Sequence, residues 1–123
     1  MQEELYNKTE KLIMYHKKYM ENFHEVKETG DKKDFYKIIK PFVDEVKAVN
    51  DEWNMLMKKW LSEASPKTIH LKQIDTISSY IEQLSIQSFF SETSKKRFLD
   101  MYRTVEYFLL EVKKELQKMK RDA

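Results

Sequence analysis

Three histidines, His16, His24 and His70, carry most of the chemical potential of this chain. Glu21 and His24 have the Glu-x-x-His spacing by which one helix face offers a carboxylate and an imidazole to a metal ion, and His16 stands two turns earlier. A carboxylate di-metal centre in a helical bundle needs two such pairs and two further glutamates on facing helices. Here there is one pair, and Glu21 lies off the apolar stripe of its own helix. His16 lies on that stripe, where a lone histidine reads as a hydrogen-bonded core group before it reads as a ligand. A metal-binding or enzymatic bundle using Glu21, His24 and His16 is therefore the alternative reading, and the expectation is no metal and no cofactor.

Other chemistries are closed off by composition. Without cysteine there is no disulfide, thiolate zinc site or cysteine nucleophile. A single glycine cannot build a phosphate-cradling loop, and no Ser/His/Asp order or paired-acid motif stands out. No catalytic residue and no small-molecule substrate are expected. The run "SKKRF" is the one charged feature that helix stability does not explain. Lys95, Lys96 and Arg97 open the last helix, where positive charge opposes the macrodipole. A weak anion or nucleic-acid surface is conceivable there, but the formal net charge of +2 argues against nucleic acid as a partner.

These residues must be positioned by helices. Of 123 residues, 41% are hydrophobic, and 7 Tyr, 7 Phe and 2 Trp supply material for a core despite 36% charged residues. One Gly and two Pro leave too little punctuation for a sandwich or barrel. The composition predicts an all-α chain forming one domain over 1–123. Leu12, His16, Tyr19, Phe23 and Val26 step by four and three, giving a first helix from about Glu3 to Glu28. Gly30 then serves as its C′ residue, with Asp31 as N-cap candidate for the next element.

Phe35, Ile39, Phe42, Val46, Val49, Trp53, Leu56 and Trp60 form one seam along the second helix, which Pro41 interrupts. The expectation is a kink near Lys37 to Lys40 or a separate helical turn before Pro41. Ser65 and Pro66 end that helix. Ile74, Ile77, Ile81, Leu84 and Ser88 carry the third stripe; Phe98, Met101, Tyr102, Val105, Phe108, Leu109, Val112, Leu116 and Met119 carry the fourth. Ser91, Thr93 or Ser94 caps the last helix. Short connections force sequential helices to run antiparallel, so the architecture is an up-down-up-down four-helix bundle with small, left-handed crossings.

In "SPKTIHLKQI", His70 fits a structural cap: as N-cap of the third helix it puts Ile69 and Ile74 in staple positions and Gln73 where a capping-box side chain belongs. Tyr6, Tyr15, Tyr36, Tyr80, Phe90 and Tyr107 lie beside or off the stripes. Either they widen a small core, or they serve contact with another protein or a second copy of the chain. The start "MQEELYNKTEK" has no basic and apolar leader pattern, and no window approaches a membrane span, so the cytoplasm is the expected location.

The run "IIKPFVDE", Trp53, "SPKTIHLKQI", "IQSFF" and "KKRF" resemble, in order and spacing over roughly Tyr36 to Leu116, the YppE-like family of small uncharacterised Firmicutes proteins. The resemblance implies a four-helix bundle in a bacterial cytoplasm and brings no activity, cofactor or site residue. In an antiparallel bundle Pro41, Glu45, Gln87, Ser88 and Lys95 to Arg97 fall toward one end. That convergence, with the misplaced cations, suggests a polar recognition site there. The function expected is a non-catalytic interaction or adaptor module.

Overall fold

The computed structural model describes residues 2–122, with side chains as far as Met119. Four helices follow in order: α1 (Gln2–Thr29), α2 (Lys40–Ala64), α3 (Leu71–Gln87) and α4 (Lys95–Asp122), with a π-helical turn, Phe35–Ile39, leading into α2. No strand occurs among the described residues. Each helix packs on its neighbour in sequence and α4 returns against α1, leaving α1 and α3 diagonal. This is the antiparallel bundle that the stripe spacing and short loops demand.

One core runs through all four helices: Leu12, Tyr19 and Phe23 from α1, Val46, Trp53 and Trp60 from α2, Ile74, Ile81 and Leu84 from α3, and Phe98, Val105 and Val112 from α4. Burying each such side chain contributes about 1.5–3 kcal/mol. Polar atoms in the core are tied where the helices cross. The Trp53 indole N–H donates to Thr9 Oγ1 at 3.1 Å, and Thr9 in turn donates to the Leu5 carbonyl at 2.8 Å. Asn50 donates from α2 to the Ser78 carbonyl of α3 at 2.9 Å.

Pro41 produces a separate helical turn. Asp34, with extended backbone (φ −64°, ψ 125°), caps it by accepting the Lys37 N–H on its carboxylate at 2.7 Å. Ile39 N–H reaches back five residues to the Asp34 carbonyl, and Lys40 N–H reaches back five to Phe35. Pro41 is the second residue of α2 and has no N–H to lose, so the wide turn spares the ladder a missing bond. The expected N-cap, Asp31, is corrected to Asp34, because Asp31 N–H is already held by Thr29 Oγ1 at 3.1 Å in the reversal. The expected seam is corrected at two positions. Phe35, on the wide turn, is exposed, and Met57 rather than Leu56 occupies the core between Trp53 and Trp60.

Two helices end in left-handed residues, one suited to it and one not. Gly30 (φ 70°) closes α1 with its N–H on the Val26 carbonyl at 2.9 Å, and Ser65 (φ 45°) closes α2 with its N–H on Leu61 at 3.2 Å. A Cβ on Gly30 would meet nothing, so the cost of Gly30→Ala is the backbone alone, about 1 kcal/mol. Ser65→Gly should gain up to about 0.5 kcal/mol, since relief of the left-handed strain outweighs the added freedom of the unfolded chain. Opposite shifts of the two urea midpoints check this; shifts of the same sign would refute it.

α3, at 17 residues, is much shorter than the 25 and 28 residues of its neighbours. At 1.5 Å per residue the shortfall against α2 is about 12 Å of helix, shared between its two ends because the Lys47–Glu82 and Lys58–Asp75 pairs hold the middles in register. The 65–70 loop covers the end beside the first turn of α3. Ile69, 3% exposed, lines two hollows at once, one toward Ile77 and Phe108 and the other toward Leu61 and Pro66. His70 occupies the N-cap position of α3 as expected, with its ring exposed and a capping box formed with Gln73. The local closure belongs to Gln73, whose Oε1 accepts the His70 N–H at 2.8 Å while its own N–H lies 3.0 Å from the His70 carbonyl.

Candidate functional site

The π turn and the α3–α4 loop meet at one end of the bundle. There Phe35, Ile39, Phe89 and Phe90 line a hollow of about 210 Å³ with Val26, Lys32 and Lys33. The turn holds Tyr36 and Phe35 outward, 78% and 52% exposed, and Ile38 and Phe90 are exposed too. Phe35 and Tyr36 pack edge to face at 5.2 Å. The opposing wall is held firmly. Lys27 Nζ donates to the Ser91 and Thr93 carbonyls at 2.6 and 2.8 Å, and the Thr93 hydroxyl donates to the Gln87 carbonyl at 2.9 Å. Lys33 pairs with Glu25 at 2.8 Å, and that carboxylate raises the pKa of the lysine.

Beside this hollow, and sharing Phe90 and Glu92 with it, lies a polar groove of about 410 Å³ lined also by Gln83, Gln87, Thr93, Ser94, Arg97 and Met101. The structure therefore brings Gln87 and Arg97 together, as the sequence placed them. Lys95 and Lys96 are exposed in the same first turn but do not line the groove. Among the described residues no ion pair is formed by Lys95, Lys96 or Arg97. Ser88 is corrected from the recognition surface to the interior: it is wholly buried and its hydroxyl donates to the Ser85 carbonyl at 3.2 Å. Glu45 is exposed on α2 and lies away from the groove, close to the Tyr15 hydroxyl.

Of the aromatics expected on the rim, Tyr36, Phe90 and Tyr107 are exposed, whereas Tyr6 and Tyr80 are half-buried against the core. Tyr15 takes the first of the two expected roles and widens the core, where it is fully buried. It forms a polar tract with His16 and Tyr19. The His16 ring stacks on Tyr102 (3.9 Å, 19° between planes) and meets Tyr19 edge-on at 5.7 Å. Tyr15 and Tyr19 both stand edge-on to Phe42 at 6.0 Å. The Tyr15 hydroxyl points to the Glu45 carboxylate, whereas the Tyr19 hydroxyl and the His16 nitrogens find no partner of good geometry among the described residues. Burial pushes the Tyr15 hydroxyl up to about 12, helped by the Glu45 carboxylate, and pushes Tyr19 higher still. Burial lowers His16 to about 4; the Tyr102 backbone lies near enough to pull weakly the other way without reaching hydrogen-bond geometry.

The structure does not bring Glu21, His24 and His16 together. Glu21 and His24 are exposed while His16 faces the core against Tyr102, and among the described residues no three histidine, aspartate or glutamate side chains come together as ligands. Phe35 and Ile38 are site residues that spacing alone missed. The signal for them was Pro41, whose wide preceding turn changes which faces point outward.

Four antiparallel helices around one core, with Phe35, Tyr36 and Phe90 turned out at one end and no described helix long and apolar enough to cross a membrane, define a small α-helical bundle protein. The chain belongs to the bacterial family described as a domain of unknown function, DUF1798, which it matches over residues 9–116. It is 31% identical over 108 residues to the uncharacterised protein YppE of Bacillus subtilis, covering 88% of each chain. The crystal structure of that protein superposes with a TM-score of 0.93 at 28% identity, covering 98% of both chains. A Listeria innocua protein of unknown function gives 0.92 at 28% identity, covering 98% of this chain and 96% of the other.

Proposed function

We propose that this is a cytoplasmic, non-catalytic interaction module that docks another protein at the end bearing the π turn. The observation that carries the reading is the outward set Phe35, Tyr36, Ile38 and Phe90, presented on two short segments around an apolar hollow and continuous with a polar groove. Aromatic anchors set in a polar rim are the composition of protein-protein contacts. π-helical turns are frequent at functional sites, and this one keeps Phe35 exposed where a regular helix would have placed it in the seam. Gln87, Arg97 and the neighbouring Lys95 and Lys96 supply the polar rim, with Glu45 outside it.

Two variants test the assignment: Phe35→Ser with Tyr36→Ser, and Lys96→Ala with Arg97→Ala. Each should fold with an unchanged circular dichroism spectrum, because all four side chains are exposed. Partners captured from lysate by the parent protein should be lost from the aromatic variant, by at least about tenfold in affinity if the pair behaves as a hot spot, and weakened in the basic one. Retention of every partner by both variants would end the proposal for this surface. A shift of mass from dimer to monomer in light scattering would identify the partner as a second copy of the chain.

A further inference from the structure

We infer that the partner offers this end of the bundle an acidic segment, which seats one aromatic or aliphatic side chain in the hollow lined by Phe35 and Phe90 and sets its carboxylates against the cations around it. The inference rests on the docking proposal above and adds the chemistry of what docks. Two segments build the surface, 30–40 and 89–99, and they bring Lys32, Lys37, Lys95, Lys96 and Arg97 to it. None of the five forms an ion pair among the described residues, whereas Lys33 and Lys40 are already paired with Glu25 and Asp44. The acids of the same segments are Asp31, Asp34 and Glu92. Asp34 is spent on the Lys37 N–H, and Glu92 alone among them lines the hollow and the groove.

The placement of these charges selects the occupant. Lys32 lines the hollow and Arg97 the groove beside it, so cations stand on both sides of the wall that Phe90 and Glu92 share. Neither α2 nor α4, the two helices that begin at this end, has an acid in its first turn. The helix dipoles therefore add to the side-chain charge instead of offsetting it, and an approaching carboxylate meets both with one sign. At about 210 Å³ the hollow has room for a single bulky side chain. Nucleic acid fits this surface less well. Phe35 and Tyr36 stand at 90° to each other, so they present no run of parallel faces for successive bases. A phosphodiester backbone has no donor to meet Glu92, whereas a peptide N–H can do so.

Selection from a random peptide library displayed on phage, with the intact chain as bait, is the test. Enriched peptides should carry an excess of Asp and Glu around an aromatic or aliphatic residue, and raising the ionic strength from about 0.05 to about 0.5 M should weaken their binding by about tenfold. The same selection on Lys96→Glu with Arg97→Glu should lose the acidic bias. That variant is expected to fold, because both residues are exposed and acids suit the first turn of a helix. Peptides that need Phe35 and Tyr36 but show no acidic bias would overturn the inference and leave the docking proposal standing. If no enriched peptide loses binding to the Phe35→Ser, Tyr36→Ser variant, both fall. A single-stranded oligonucleotide that binds more tightly than the enriched peptides at the higher ionic strength would overturn the inference in favour of nucleic acid.

Discussion

Lowering the pH from 7 to 5 will cost the protein about 2 kcal/mol of stability at His16 alone, rising to about 3 kcal/mol at pH 4 and below. The direction follows from where the proton binds. In the unfolded chain His16 takes up a proton as the pH falls through the ordinary 6.5; in the folded protein burial delays this to about 4. Between those values the unfolded state binds more protons, so acid favours unfolding, and below both values the loss is complete. No carboxylate acts on the ring to offset this, and the uncharged Tyr19 and Tyr102 are its aromatic neighbours. The measurement is urea unfolding of the parent and of His16→Phe at pH 7 and pH 5. Phenylalanine keeps a ring against Tyr102 and cannot titrate, so the stability difference between the two proteins should move by about 2 kcal/mol in favour of the variant at pH 5. Carboxylates common to both cancel. A difference independent of pH would show that His16 titrates in the fold as it does in the unfolded chain, and one that moved in favour of the parent would show that the fold holds it protonated.

His16 also shows how far the sequence could be read. Its place on the α1 stripe was legible because intervals of three and four from Leu12 to Tyr19 admit it. The same intervals admit Tyr15, whose place between core and rim the spacing left open and which is fully buried. α1 sits between α2 and α4, so it buries two adjacent strips, and a single-stripe pattern recognises only one. Phe35 failed for the opposite reason. It was in phase with the α2 seam on paper, but Pro41 widens the turn before it, and a five-residue hydrogen-bond span shifts the phase of everything upstream. At the candidate site, short connections were enough to bring Gln87 and Arg97 to the same groove. They could not reveal that Ser88, also at that end, continues the buried stripe of α3 and is spent on a backbone bond. Which end a residue occupies follows from topology; which way its side chain faces depends on turn geometry that spacing does not carry.

The second large effect concerns a residue outside any helix. Ile69→Ala should destabilise the protein by about 2–4 kcal/mol, as much as truncating an isoleucine in the middle of α3, whereas His70→Ala next to it should change stability by less than about 0.5 kcal/mol. Loop residues are ordinarily tolerant because they run over the surface. Ile69 departs from this because α3 is too short to cover the core at that end, and the loop must supply the missing apolar volume. Truncation would remove the side chain that lines both hollows, one toward Phe108 and one toward Leu61, and open them to each other. The His70 ring is exposed, and its removal leaves the bond from the His70 N–H to Gln73 Oε1 intact. Thermal and urea unfolding of the two variants separates the possibilities. Equal small effects would mean that the loop merely lies on the bundle; a large loss at Ile69 alone would establish that the loop completes the core in place of the helix that α3 lacks at that end.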